Sequence, residues 1–126
     1  LVNSVVEDGT IIKKFVPQVV NERICSETTL KQLKVCLEGV CINGTGKRLF
    51  ENAAYKAAGK TGTALVADGK FTYADKVYQS SFAGYFPAEN PQYTIVVIIR
   101  NKPHAARFYG ADVAGPVWKE IADRLY

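Results

Sequence analysis

Methionine is absent from the 126-residue sequence, histidine occurs once, and the three cysteines form no C-x-x-C pair. The missing methionine, with Leu1 in first place, predicts that the chain is a piece of a longer polypeptide. Without a second histidine or clustered thiols there is no ligand set for a metal centre, so neither metal nor cofactor is expected, and His104 reads as a loop residue after Pro103. Cys25, Cys36 and Cys41 read as small buried hydrophobes, with a disulfide from Cys25 to one of the others as the alternative. No apolar run approaches the roughly 20 residues of a membrane span and no signal-peptide pattern opens the chain, so any targeting segment is expected outside it. Basic residues outnumber acidic ones 16 to 12, yet apart from Lys13-Lys14 and Lys47-Arg48 they are scattered, which argues against a nucleic-acid partner.

What is present suits one domain with a real core: 48% of residues are apolar and 22% charged. Residues 1–15 hold two β-rich runs around Glu7-Asp8-Gly9, where Asp-Gly marks a turn, so a hairpin is expected. Ser26-Glu27-Thr28-Thr29 has the hydroxyls and the acid of a helix start. After it Leu30, Leu33, Leu37, Val40 and Cys41 recur at helical spacing, predicting an amphipathic helix over 26–43 that stops at Gly44-Thr45-Gly46. Three strands follow, over 61–66, 78–86 and 92–100, and form an antiparallel meander within 60–100. The uninterrupted Ile95-Val96-Val97-Ile98-Ile99 predicts a strand covered on both faces. A last helix over 111–125 should present Val113, Val117, Trp118, Ile121 and Leu125 to the sheet; Pro116 is tolerable if it lies near the first turn and otherwise bends the helix.

Several motifs fail on inspection. Gly59-Lys60-Thr61 suggests a phosphate loop, but Ala54 stands where that pattern needs glycine, and the strand follows the motif instead of preceding it. Gly44-Thr45-Gly46-Lys47 is explained by helix capping. Asp68, Asp75, Glu89 and Asp112 lie in turns or at a helix start and form no catalytic pair. The aromatic residues sit mostly in strands, without the basic face an RNA-stacking sheet needs.

Lys60-Thr61-Gly62-Thr63-Ala64 remains. A helix ending in Gly-Thr-Gly, this segment entering a strand, a meander and a terminal helix together resemble the carboxyl-terminal half of a penicillin-binding protein transpeptidase domain. Ser81 to Pro87 and Tyr93 to Val97 are similar to that fold's fourth and fifth strands, and Tyr109-Gly110-Ala111 with Pro116 to Trp118 to its final helix. The resemblance covers essentially the whole chain and is nearest to class B, the monofunctional enzymes of division or elongation.

The resemblance implies an α+β fragment of the penicillin-binding protein and serine β-lactamase fold: a three-stranded antiparallel meander, a covering carboxyl-terminal helix, an amino-terminal hairpin and an amphipathic helix. It implies a parent D,D-transpeptidase at the periplasmic face of the bacterial inner membrane, cross-linking peptidoglycan through an acyl-serine intermediate and acylated by β-lactams. Its partners would be the D-Ala-D-Ala stem peptide, β-lactams and the amino-terminal half of the domain. Lys60 and Thr63 are the implied catalytic residues, Thr63 through its backbone N–H in the oxyanion hole; Thr61, Gly62 and Thr63 would bind substrate. The family's other two motifs are missing. Ser4, Ser26, Ser80 and Ser81 have neither lysine three places on nor asparagine two places on, so the chain by itself should be inactive. A serine β-lactamase or D,D-carboxypeptidase of the same fold, or a non-catalytic sheet domain that binds peptide by strand addition, is the alternative. Without its other half, the fragment is expected to self-associate.

Overall fold

The computed structural model describes residues 2–126. Two β-rich runs and an Asp-Gly pair close a hairpin, β1 (Ser4–Glu7) against β2 (Thr10–Lys14), with Asp8 and Gly9 both at positive φ, 48° and 77°. Leu1, where the expected hairpin begins, lies outside the described residues. The hairpin is a separate two-stranded sheet, and its Val6, Ile11 and Ile12 are exposed.

Helix α1 (Glu27–Ile42) starts where the hydroxyl of Ser26 accepts the Thr29 N–H at 3.1 Å, satisfying one of the first-turn donors that lack an intrahelical partner. A short helix α2 (Lys47–Phe50) follows the Gly-Thr-Gly turn. Strands β3 (Ala58–Leu65), β4 (Tyr78–Phe86) and β5 (Tyr93–Arg100) form the expected meander in the order β3-β4-β5. The first strand begins at Ala58, three residues before the expected 61, so Lys60 lies within it. Between β3 and β4 a polar connection is held down by Asp68, which accepts the Phe71 N–H and pairs with Arg100 at 2.6 Å. The Arg100 guanidinium keeps that carboxyl below its usual range.

Helix α3 (Gly110–Leu125) lies across one face of the sheet. Alternation turns Ser80, Phe82 and Phe86 of β4 toward it, all buried, and Trp118 fills the space between. The Trp118 ring meets Phe50, Phe82 and Phe86 edge-on at 5.5, 5.2 and 5.5 Å, and its indole N–H donates to the Ile95 carbonyl at 2.9 Å.

Three expectations about burial need correction. The buried residues of α3 are Gly110, Ala114, Gly115, Trp118 and Ala122, with Gly115 set against Leu49 of α2, while Val117, Ile121 and Leu125 are exposed. The helix approaches so closely that small residues fit beneath it, and one tryptophan supplies the bulk. Strand β5 is covered on one side only: Ile95, Val97 and Ile99 pack on the core, but Val96 and Ile98 are 59% and 58% exposed. Along α1 only Cys41 is buried, whereas Leu30, Leu33 and Cys36 are exposed, because the helix meets the sheet at its carboxyl end.

The open face and the outer edge of β5, unpaired among the described residues, together make an apolar strand edge. The isolated chain is therefore expected to form dimers or larger species as its concentration rises, read by sedimentation velocity; a monomer throughout the series counts against it.

Candidate active-site strand

Strand β3 is the other edge of the sheet, and its hydrogen-bond phase decides what it offers. Just past its end the Val66 N–H donates to the Val77 carbonyl at 2.8 Å. Antiparallel pairs alternate between bonded and non-bonded. Stepping back by twos along the register, Ala64–Gln79, Gly62–Ser81, Lys60–Ala83 and Ala58–Tyr85 are the bonded pairs. Gly59, Thr61, Thr63 and Leu65 therefore direct their N–H and C=O groups away from β4, toward the outer edge.

That edge is occupied at one end. Cys41 of α1 is buried there, its thiol close enough to the Gly59 backbone to be stabilised by it, as an outward-facing Gly59 would allow. Burial first, and then the Glu38 carboxylate, push this thiol up to about 11, while the Gly59 backbone pulls the other way. The protonated thiol is a packing group, not a nucleophile. Next along, the Thr45 hydroxyl lies 3.1 Å from the Thr61 hydroxyl. From Thr63 onward no strand pairs with the edge among the described residues.

Side chains alternate across the strand. Lys60 and Gly62 lie on the open face, opposite Ala83 and Ser81. Lys60 is exposed, its ammonium donates to the Thr61 carbonyl at 2.8 Å, and it takes part in no ion pair among the described residues. A Cβ at Gly62 would collide with the Ser81 hydroxyl. Thr63 lies on the side of α3, where its hydroxyl accepts the N–H of Gly110, first residue of that helix, at 3.1 Å. Gly110 sits directly on the sheet: a Cβ there would strike the carbonyl oxygens of Ser81 and Gly62.

The four expected site residues, Lys60, Thr61, Gly62 and Thr63, thus come together on one edge strand, which presents a cation, two hydroxyls and outward N–H groups. Such an edge can hold an extended anionic chain. The serines offer no second half. Ser80 is fully buried, donates to the Phe108 carbonyl at 2.5 Å and accepts from Asn101 at 2.9 Å. No group of side chains fit to hold a metal occurs among the described residues. Sequence reasoning missed Thr45, Cys41 and Gly110 as neighbours of the strand; the Gly-Thr-Gly turn was a visible signal, fully accounted for as a cap.

A three-stranded antiparallel sheet covered by a helix on one face is the mixed α/β build of solved transpeptidase domains. Residues 1–123 match the penicillin binding protein transpeptidase domain, and the chain belongs to that family. It is similar to stage V sporulation protein D of Bacillus subtilis (strain 168), 37% identical over 107 residues, 84% of this chain and 16% of the relative. It is also similar to the peptidoglycan D,D-transpeptidase FtsI of Escherichia coli (strain K12), 34% identical over 110 residues, 87% of this chain and 18% of that protein. Among solved structures, the transpeptidase domain of FtsI4 D,D-transpeptidase from Legionella pneumophila superposes with a TM-score of 0.65 at 34% identity, covering 80% of this chain and 37% of the other. The chain thus spans less than a fifth of these two curated relatives. No helix among the described residues is long and apolar enough to cross a membrane.

Proposed function

We propose that this chain is the carboxyl-terminal part of the catalytic domain of a peptidoglycan D,D-transpeptidase, and that β3 is the wall of its active site that receives substrate. The observation that carries the reading is the open edge at Thr63, flanked by the Lys60 ammonium, in a chain of this family. The stem peptide would lie extended along that edge, its terminal carboxylate near the Thr61 and Thr63 hydroxyls. A serine supplied by the rest of the domain attacks the D-Ala-D-Ala carbonyl, and the Thr63 N–H stabilises the oxyanion as one of two donors. Collapse of that intermediate expels the terminal D-alanine as an amine and leaves the acyl-serine, which an amine of a second stem peptide then resolves. Lys60 supplies positive charge beside the serine and the carboxylate. The parent protein would work at the periplasmic face of the bacterial inner membrane, held there by an anchor elsewhere in it.

The names of the relatives favour a transpeptidase over a β-lactamase or D,D-carboxypeptidase of the same fold. In this reading the chain lacks the nucleophile. A fluorescent penicillin is accordingly expected to leave no adduct on the isolated chain after denaturation, and to label the longer protein that contains it. A denaturation-stable adduct on the isolated chain would place a nucleophile here; an unlabelled, folded longer protein would reject the enzyme assignment.

A further inference from the structure

Among the described residues, Thr45 is the one outside the strand whose side chain is hydrogen-bonded to a hydroxyl of the Lys60 to Thr63 segment, through its 3.1 Å contact with Thr61. It is carried on a firmly built turn. The N–H groups of Asn43 and Gly44 both donate to the Gly39 carbonyl at 2.9 Å, Gly46 donates to Val40 at 2.9 Å, and Lys47 donates to Gly44 at 3.1 Å. The turn folds back on the end of α1 so tightly that a Cβ at Gly44 would stand 2.9 Å from the Val40 Cα, and one at Gly46 would stand 3.1 Å from the Val40 oxygen. The same end of α1 is seated against the strand by the buried Cys41, whose thiol lies beside the Gly59 backbone. Thr45 is thus presented to Thr61 by backbone that has little room to shift.

Two hydroxyls in contact share one hydrogen, so the direction of the bond matters. Each threonine has a single O–H to give. A Thr61 that donated to Thr45 would turn only lone pairs toward the strand edge, where a carboxylate would be repelled. A Thr61 that accepts from Thr45 keeps its own hydrogen for the ligand, and accepting polarises that O–H toward donation.

We propose that Thr45 is a positioning residue: it donates to the Thr61 hydroxyl and leaves the Thr61 hydrogen free for the carboxylate of a ligand on the β3 edge. The proposal rests on the functional reading given above, in which β3 binds a carboxylate-bearing peptide or β-lactam. Thr45 touches no reacting atom; it acts through Thr61.

The test measures the second-order rate constant of acylation of the longer protein by a fluorescent penicillin. Thr45→Val removes the hydroxyl at nearly constant shape, and losing one hydrogen bond to an anion-binding group should slow acylation about five- to tenfold. Thr45→Ala should match that loss, whereas Thr45→Ser, which restores the hydroxyl, should stay within about twofold of the parent rate. The double variant Thr45→Val with Thr61→Val should be no slower than Thr61→Val alone. With the methyl ester of the same penicillin, which carries no carboxylate charge, the Thr45→Val deficit should largely vanish. An unchanged or faster Thr45→Val protein overturns the proposal, as do additive losses in the double variant or an equal deficit on the ester. If Thr61→Val itself leaves acylation unaltered, the carboxylate-binding reading of β3 falls first, and the Thr45 proposal with it.

Discussion

Replacing Lys60 with alanine in the longer protein is expected to slow acylation by penicillin at least about a hundredfold, the scale on which a preorganised electrostatic contact to a reacting centre acts. The side chain is exposed and its partner in the structure is a carbonyl of its own strand. Removing it therefore uncovers no buried charge and leaves no core void, so the unfolding midpoint should hardly move. A large kinetic loss at constant stability is the signature of a group acting on substrate or nucleophile. Lys60→Arg should recover part of the rate, since the charge returns but its shape and placement do not. Labelling at the parent rate by the Lys60→Ala protein would remove Lys60 from the site.

Trp118→Ala is expected to destabilise the protein by about 3–5 kcal/mol, the usual cost of deleting a large buried aromatic. That is a sizeable part of the roughly 5–15 kcal/mol holding a typical domain folded. The side chain is fully buried and contacts three aromatic rings contributed by α2 and β4, while its N–H satisfies a carbonyl of β5. Its loss opens a void at the point where helix and sheet join. Ile121→Ala, on the exposed side of the same helix, should cost well under 1 kcal/mol, as surface substitutions do. Urea unfolding of the longer protein reads both. Similar costs for the two would mean that α3 presents a different face to the sheet.

The elements of the fold were largely legible in the sequence because their signals are local. Ser26 announces α1, Asp8-Gly9 the hairpin, and the limits of β4 follow from the polar Asp75-Lys76 before it and the turn from Pro87 to Pro91 after it. What escaped was how elements meet. Periodicity along α3 favoured Val117 and Ile121 as core, since it weighs hydrophobicity, whereas close approach favours Ala114 in the core and Gly115 against Leu49 of α2. The apolar run of β5 reads as covered on both faces, yet only α3 covers it among the described residues, and Val96 and Ile98 stay open. For the site, Lys60 to Thr63 were recoverable because they are contiguous. Thr45 and Gly110 lie 16 and 47 residues away from their partners Thr61 and Thr63, and no spacing rule joins them.

Gly110 has a mechanical consequence. With no side chain between its backbone and those of Gly62 and Ser81, and with its N–H seated on Thr63, the first turn of α3 has no compressible layer separating it from the strand. The 16 residues of the helix make a rod about 24 Å long. Its far end is tethered through Asp123, which accepts the Tyr55 hydroxyl at 2.9 Å. The two ends of α3 are thus fixed by different contacts, Gly110 on the β3 edge and Asp123 on Tyr55, so a shift of the first turn would be felt at Thr63 with no side chain between to absorb it.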